Sequence, residues 1–165
     1  MSTTTDIAPA REVPPAPEQQ LIDFLNTLDV EDGTDVLSDQ RTYAAWARSR
    51  KVVPGDLDEA RRVRDALRDL VDGVACVLPE IQLRTVATRD GVLLAGDTAP
   101  QAAVATATIL SIQGKLARVK LCPCEDCRWA FYERSRNSSK TWCSMAVCGN
   151  RVKARTYRGK PSDSD

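Results

Sequence analysis

Apolar residues recur at helical intervals from Glu18 onward. Leu21, Ile22, Phe24, Leu25 and Leu28 share one face of a helix that the polar run VEDGTD (30–35), with Gly33, brings to an end. A second helix is predicted from Ser38 as N-cap, carrying Tyr43, Ala44, Trp46 and Ala47, with Trp46 in the core. After Pro54-Gly55, Asp56 stands as N-cap with Glu59 three residues on, a variant of the capping box. The helix that follows places Leu57, Ala60, Val63, Leu67, Leu70, Val71 and Val74 on one stripe. Its other side mixes Arg61, Arg62, Arg64, Asp65, Arg68, Asp69 and Asp72, the pattern of a solvated face.

The period then changes. IQLRTVAT, Arg89-Asp90-Gly91 and VLLA read as a β-hairpin, with Asp90-Gly91 as the left-handed turn residues. Helical spacing returns from Thr98 to about Gln113 and stops at Gly114, and KLARVK (115–120) alternates as a short strand. Residues 1–17, with four prolines among Thr, Ala and charges, cannot bury enough apolar surface to offset their ordering entropy and read as a disordered arm. The expected class is α+β: a mainly helical domain with a β-hairpin over 18–118, a small cysteine module over 119–158 and a disordered tail over 159–165.

That module holds five of the six cysteines: Cys122, Cys124, Cys127, Cys143 and Cys148. The chain has no histidine, so a soft-metal site must be built from thiolates. Two close pairs joined by a short spacer are how zinc modules are laid out. Five candidates for four places leave a choice: Cys124-x2-Cys127 makes the tighter knuckle, while Cys122-x4-Cys127 repeats the spacing of Cys143-x4-Cys148. Four thiolates serve an iron–sulfur cluster equally well. Buried apolar cysteines or disulfides fit less well beside Asp126, Arg128, Asn137 and Lys140.

WCSMAVCGNR (142–151) resembles the signature of the CGNR zinc-finger family of bacterial transcription regulators, and the C-x4-C-x-W-x-F-x-x-x-S-R-N run (122–137) is similar to that family's first half. The resemblance implies one zinc ion on Cys122, Cys127, Cys143 and Cys148, with Cys124 an extra and Glu133 without an assigned role. It also implies a treble-clef- or zinc-ribbon-like finger of knuckle, hairpin and helix. An N-terminal ABATE domain would precede it and sense a ligand. LIDFLNTLDVEDG (21–33) resembles the opening of that domain, matching it at Asp23, Asn26 and Thr27; local helix-end hydrogen bonding accounts for those residues as well.

Formal net charge is zero, 23 basic against 23 acidic, but the distribution is uneven. Residues 1–127 hold 14 basic and 20 acidic side chains, a balance of −6; residues 128–160 hold nine and one, a balance of +8. A basic module on an acidic body points to a polyanionic partner for one end. No run is long and apolar enough to span a membrane, and MSTTTDIAPAREVPPAPE has no apolar core of a secretory signal. Cysteines grouped as ligands suit a reducing interior, so a cytoplasmic location is expected.

Within the finger, Arg128–Ser135 out and Lys140–Trp142 back form the expected hairpin, with Trp129, Phe131 and Trp142 packed beside the metal. A helix is expected from Cys143 and Ser144 to about Tyr157. On it Arg151, Arg155 and Arg158 lie at i, i+4 and i+7, one basic stripe almost free of acidic neighbours in sequence. Lys153 on the helix and Arg134, Arg136 and Lys140 from the hairpin extend it. Guanidinium forks of this kind suit phosphate oxygens, which gives DNA as the expected partner. A zinc-stabilised module that docks protein or RNA is the alternative. The N-terminal domain is left to sense a small molecule or to form a homodimer. With no histidine base and a closed thiolate site, no enzymatic activity is expected.

Overall fold

The computed structural model describes residues 16–158; the expected tail (159–165) and the expected arm, except Ala16 and Pro17, lie outside them. Helix α1 (Pro17–Leu25) starts at the last proline of that arm, a residue suited to the first helical position because its missing N–H has no partner to lose. It buries Leu21, Ile22, Phe24 and Leu25. Leu28 is not on it. Strand β1 (Leu28–Asp29) pairs antiparallel with β2 (Thr34–Asp35), so the VEDG stretch is a hairpin turn closed by Gly33 at φ 63.

A 3-10 turn (Val36–Ser38) leads to α2 (Gln40–Ser49). Its N-cap is Asp39 in place of the expected Ser38. The carboxylate accepts the backbone N–H groups of Arg41 and Thr42 at 2.9 Å and the Thr42 hydroxyl at 2.6 Å. The two oxygens of a carboxylate have acceptor sites for all three donors, where a serine hydroxyl oxygen has two. Helix α3 (Leu57–Val71) is capped as expected, Asp56 accepting from the Glu59 N–H at 2.7 Å.

The solvated face expected on α3 is partly buried. Arg64 and Arg68 are 4% and 8% exposed. Arg64 meets Asp35 at 2.5 Å and Asp65 at 2.9 Å, while Arg68 donates to the carbonyls of Leu25 at 2.9 Å and Arg128 at 2.8 Å. Helix α3 packs against α1, the later helix Ala99–Ile112 and the first strand of the cysteine module, Val119–Leu121. The partners from outside α3 that take up these two guanidinium groups come from β2, α1 and the loop after that strand.

Strands β3 (Arg84–Thr88) and β4 (Gly91–Ala95) form the expected antiparallel hairpin. Thr88 pairs with Gly91, so the turn residues are Arg89 and Asp90, and Gly91 opens β4 at φ 136. Helix α4 (Ala99–Ile112) follows, its N-terminus held by the Gln101 side chain, which accepts from the Asp97 and Thr98 N–H groups. Glycine is needed at Gly96, where a Cβ would lie 2.2 Å from the Gln101 carbonyl carbon. KLARVK is a 3-10 turn (Leu116–Arg118) running into β5 (Val119–Leu121).

One apolar cluster joins the helical part to the start of the cysteine module. Leu21, Phe24, Leu25, Tyr43, Val63, Leu67, Val104 and Leu110 pack with Val119, Leu121 and Ala130. Strand β5 pairs with β6 (Ala130–Tyr132), Lys120 opposite Phe131. The two-residue alternation of strands sends Val119 and Leu121 into the core and leaves Arg118 and Lys120 on the outer side. Of the expected hairpin, Arg128–Ser135 out and Lys140–Trp142 back, only Ala130–Tyr132 is strand, and residues 133–142 are irregular; the hairpin is β5–β6, and Cys122, Cys124 and Cys127 lie on its loop. Among the described residues no helix is long and apolar enough to cross a membrane.

Candidate metal centre

The loop between β5 and β6 is a tight knuckle. The Cys127 and Arg128 N–H groups both donate to the Cys124 carbonyl, at 2.9 and 3.0 Å, and the Cys122 N–H donates to the Trp129 carbonyl. Arg128 takes a left-handed conformation, φ 52, which turns the chain back into β6. Its guanidinium meets Asp72 at 2.6 Å, and its carbonyl is held by Arg68.

The second pair sits at the start of the C-terminal helix. Ser144 caps a π-helical turn (Met145–Gly149), and α5 (Asn150–Arg158) continues from it. Widening the turn lets both the Cys148 and Gly149 N–H groups reach the Ser144 carbonyl. At Gly149 a Cβ would stand 2.5 Å from Met145 Sδ and 3.2 Å from Trp142 Cδ1, so the indole and thioether close over this glycine. The Asn150 side chain donates to the Ala146 carbonyl within its own turn and not to a sulfur or the hairpin.

The Sγ atoms of Cys122, Cys127, Cys143 and Cys148 all lie within 4.8 Å of one another, Cys127–Cys143 at 3.6 Å and Cys143–Cys148 at 3.5 Å. Four sulfurs about 2.3 Å from a single zinc in a tetrahedron are about 3.8 Å apart, so the set fits one such ion. A multi-iron cluster needs its thiolates farther apart, to make room for the irons and inorganic sulfides between them. Cys124 is buried beside these four but belongs to no such sulfur group among the described residues. Trp142 and Val152 pack against the cluster, while Trp129 turns outward, 38% exposed, and Phe131 lies under Lys140.

The thiols are unequal. Burial raises Cys122, but hydrogen bonds from the Cys143 and Cys124 backbone and from the Cys143 and Cys148 thiols together outweigh it and hold that thiol below its ordinary range. Burial pushes Cys143 up to about 12 and Cys148 higher still. Neighbouring thiols in a dry pocket cannot all ionise without a cation, which is what a bound metal supplies.

Residues 19–118 match the family model of ABATE, described as "Putative stress-induced transcription regulator", and residues 118–160 match that of the CGNR zinc finger. The chain belongs to the ABATE family and ends in a CGNR finger. No curated protein matches it.

Around the CGNR finger the expected phosphate contacts separate into two groups, and Arg134 of the extended stripe lies 3.6 Å from Glu18. Arg151 is ion-paired with Glu31 of the β1–β2 turn at 2.6 Å, and Arg155 with Asp126 of the knuckle. Arg158 Nε donates within the helix to Ala154 O at 3.3 Å. Among the described residues no carboxylate lies within ion-pair distance of Arg136, Lys140, Lys153 or Arg158. The stripe on α5 therefore has acidic neighbours, which the chain brings from 29 and 120 positions away.

Asn26, expected to bond locally at a helix end, and Glu133, given no role by the sequence, both make contacts that only the fold brings about. Asn26 lies against the finger, its amide paired with the backbone of Ala130. Glu133 is fully buried and organises the loop that follows β6. Its signal was present: it is the single acid among residues 128–160.

Proposed function

We propose that the chain is a zinc-stabilised, cytoplasmic transcription regulator whose CGNR finger binds duplex DNA, and that it is not an enzyme. Zinc on Cys122, Cys127, Cys143 and Cys148 supplies a cation that holds the knuckle and the start of α5 together; four thiolates leave no open position for water. The observation that carries the reading is that this sulfur set brings the knuckle cysteines Cys122 and Cys127 together with Cys143 and Cys148 of the segment with balance +8, within a family described as transcription regulators. The ABATE part responds to a small molecule or brings two copies together. Asn26 and Arg68 give it a direct hold on the finger, through Ala130 and the Arg128 carbonyl.

The test is binding of purified, metal-analysed protein to duplex DNA at graded salt. One zinc per chain, and a log–log salt slope that chelation abolishes, support the reading. A second reading is favoured by one observation: Arg151 and Arg155 already engage carboxylates, as they would on an acidic protein surface. Retention on acidic protein or RNA with no affinity for duplex DNA would select it.

A further inference from the structure

The carboxyl group of Glu133 grips the two ends of one loop. One oxygen accepts the Ser135 N–H at 2.7 Å and the other accepts the Lys140 N–H, with Lys120 Nζ 3.8 Å away. Burial opposes its ionisation, but the donors from Ser135 and Lys140 and the Lys120 charge outweigh that and keep it below the ordinary carboxylate range. Two cations brace the loop from beneath. Arg118 Nη1 donates to the carbonyls of Glu133 at 3.1 Å and Ser135 at 2.9 Å, and Lys120 Nζ to those of Ser138 at 2.8 Å and Lys140 at 3.0 Å.

Held at both ends and from below, residues 134–140 (RSRNSSK) stand on the surface, all exposed. Arg134 lies over the Tyr132 ring and 3.6 Å from Glu18, Lys140 lies over Phe131, and Arg136 projects between them in sequence. The one acid among residues 128–160 is thus turned inward, and every charge the loop shows to solvent is positive. The helix α5 differs, since Glu31 and Asp126 compete with any phosphate for Arg151 and Arg155.

We propose that the loop 134–140, clamped by Glu133, is the principal DNA-contact surface of the finger, with Arg134, Arg136 and Lys140 on backbone phosphates and Glu133 as a positioning residue. The assignment rests on the DNA-binding reading above. Preorganisation favours it: the loop meets little ordering cost on binding, and its three cations need break at most one weak ion pair.

Three full-length variants, each checked for one zinc per chain, separate the possibilities: Arg134→Ala/Arg136→Ala/Lys140→Ala, Arg151→Ala/Arg155→Ala/Arg158→Ala, and Glu133→Gln. The loop variant is expected to lose roughly 2–3 units of salt slope on duplex DNA, and the helix variant roughly one or less. Glu133→Gln turns an amide NH2 toward backbone N–H donors. It should free the Ser135 and Lys140 amides to hydrogen exchange and weaken DNA binding while the zinc stays. An unchanged slope in the loop variant, with a slope lost in the helix variant, overturns this assignment and leaves the DNA-binding reading standing. A wild-type protein that binds RNA or protein but not duplex DNA overturns both.

Discussion

Asn26 pairs with Ala130 across 104 residues as one strand residue pairs with another: its Nδ2 donates to the Ala130 carbonyl at 2.9 Å, and its Oδ1 accepts the Ala130 N–H at 2.7 Å. Strand β6 has β5 on one side, and the Asn26 amide serves its other edge at this residue. A side chain at the end of α1 therefore fixes the finger's hairpin to the helical core. Thr27 beside it does something local, its hydroxyl donating to the Phe24 carbonyl at 2.8 Å.

Asn26→Ala leaves a buried donor and a buried acceptor on Ala130 without partners. Such a loss costs about 2–3 kcal/mol. That corresponds to a fall in Tm of roughly 5–10 °C. Asn26→Asp keeps the acceptor and sets a carboxylate against the Ala130 carbonyl, so it should be at least as damaging. Thermal melts of the two variants check this; a melting point within a degree of wild type for either would mean that the contact carries no stability.

Cys124→Ser should retain one zinc per chain, whereas serine at Cys122, Cys127, Cys143 or Cys148 should release it. The motive is that four sulfurs gather within 4.8 Å and Cys124 is not among them. Elemental analysis decides. Zinc lost from Cys124→Ser and kept by Cys122→Ser would make the knuckle Cys124-x2-Cys127, and iron in the wild type would replace zinc altogether.

Chelation should unfold the chain in part. Val119, Leu121 and Ala130 belong to the core shared with α1, α3 and α4, so amides of β5 and β6 should stay protected from hydrogen exchange. The π-turn and α5, which bury little except against the sulfurs, should lose protection. Reloading should weaken as pH falls. Burial lifts Cys143 and Cys148, so these thiols keep their protons, and zinc must displace them. Exchange measured with and without chelator checks the first point, and zinc titrations at two pH values the second.

Glu31→Gln removes the carboxylate that holds Arg151 while leaving the finger's packing alone. The freed guanidinium adds a phosphate contact, so the salt slope on duplex DNA should steepen by about 0.9. A slope equal to wild type would mean that Arg151 faces away from the DNA.

Much of this chain is written in short-range pattern. The inner part of the α3 stripe (Ala60, Val63 and Leu67), its Asp56 cap, the β3–β4 hairpin and the x4-spaced cysteine pairs follow from spacing, because helix, strand and ligand geometry are set over a few residues; Leu70 and Val74, expected on that stripe, are exposed, and Val74 lies beyond the helix. The choice between Cys122 and Cys124, open on spacing alone, followed from resemblance to the CGNR family and agrees with where the sulfurs gather. What the sequence could not carry is which distant groups meet. Arg64 and Arg68 look solvated on a helical wheel and are buried where the fold brings Asp35 to one guanidinium and the Leu25 and Arg128 carbonyls to the other. Arg151 and Arg155 look unopposed along the chain, yet the fold brings Glu31 and Asp126 to them. Glu133 looks like a stray acid and becomes a clamp once the β5–β6 pairing places Arg118 and Lys120 beneath its loop. Charge acts through space over a few ångströms, whatever the separation along the chain, so the electrostatic character of the finger's surface was decided by tertiary structure.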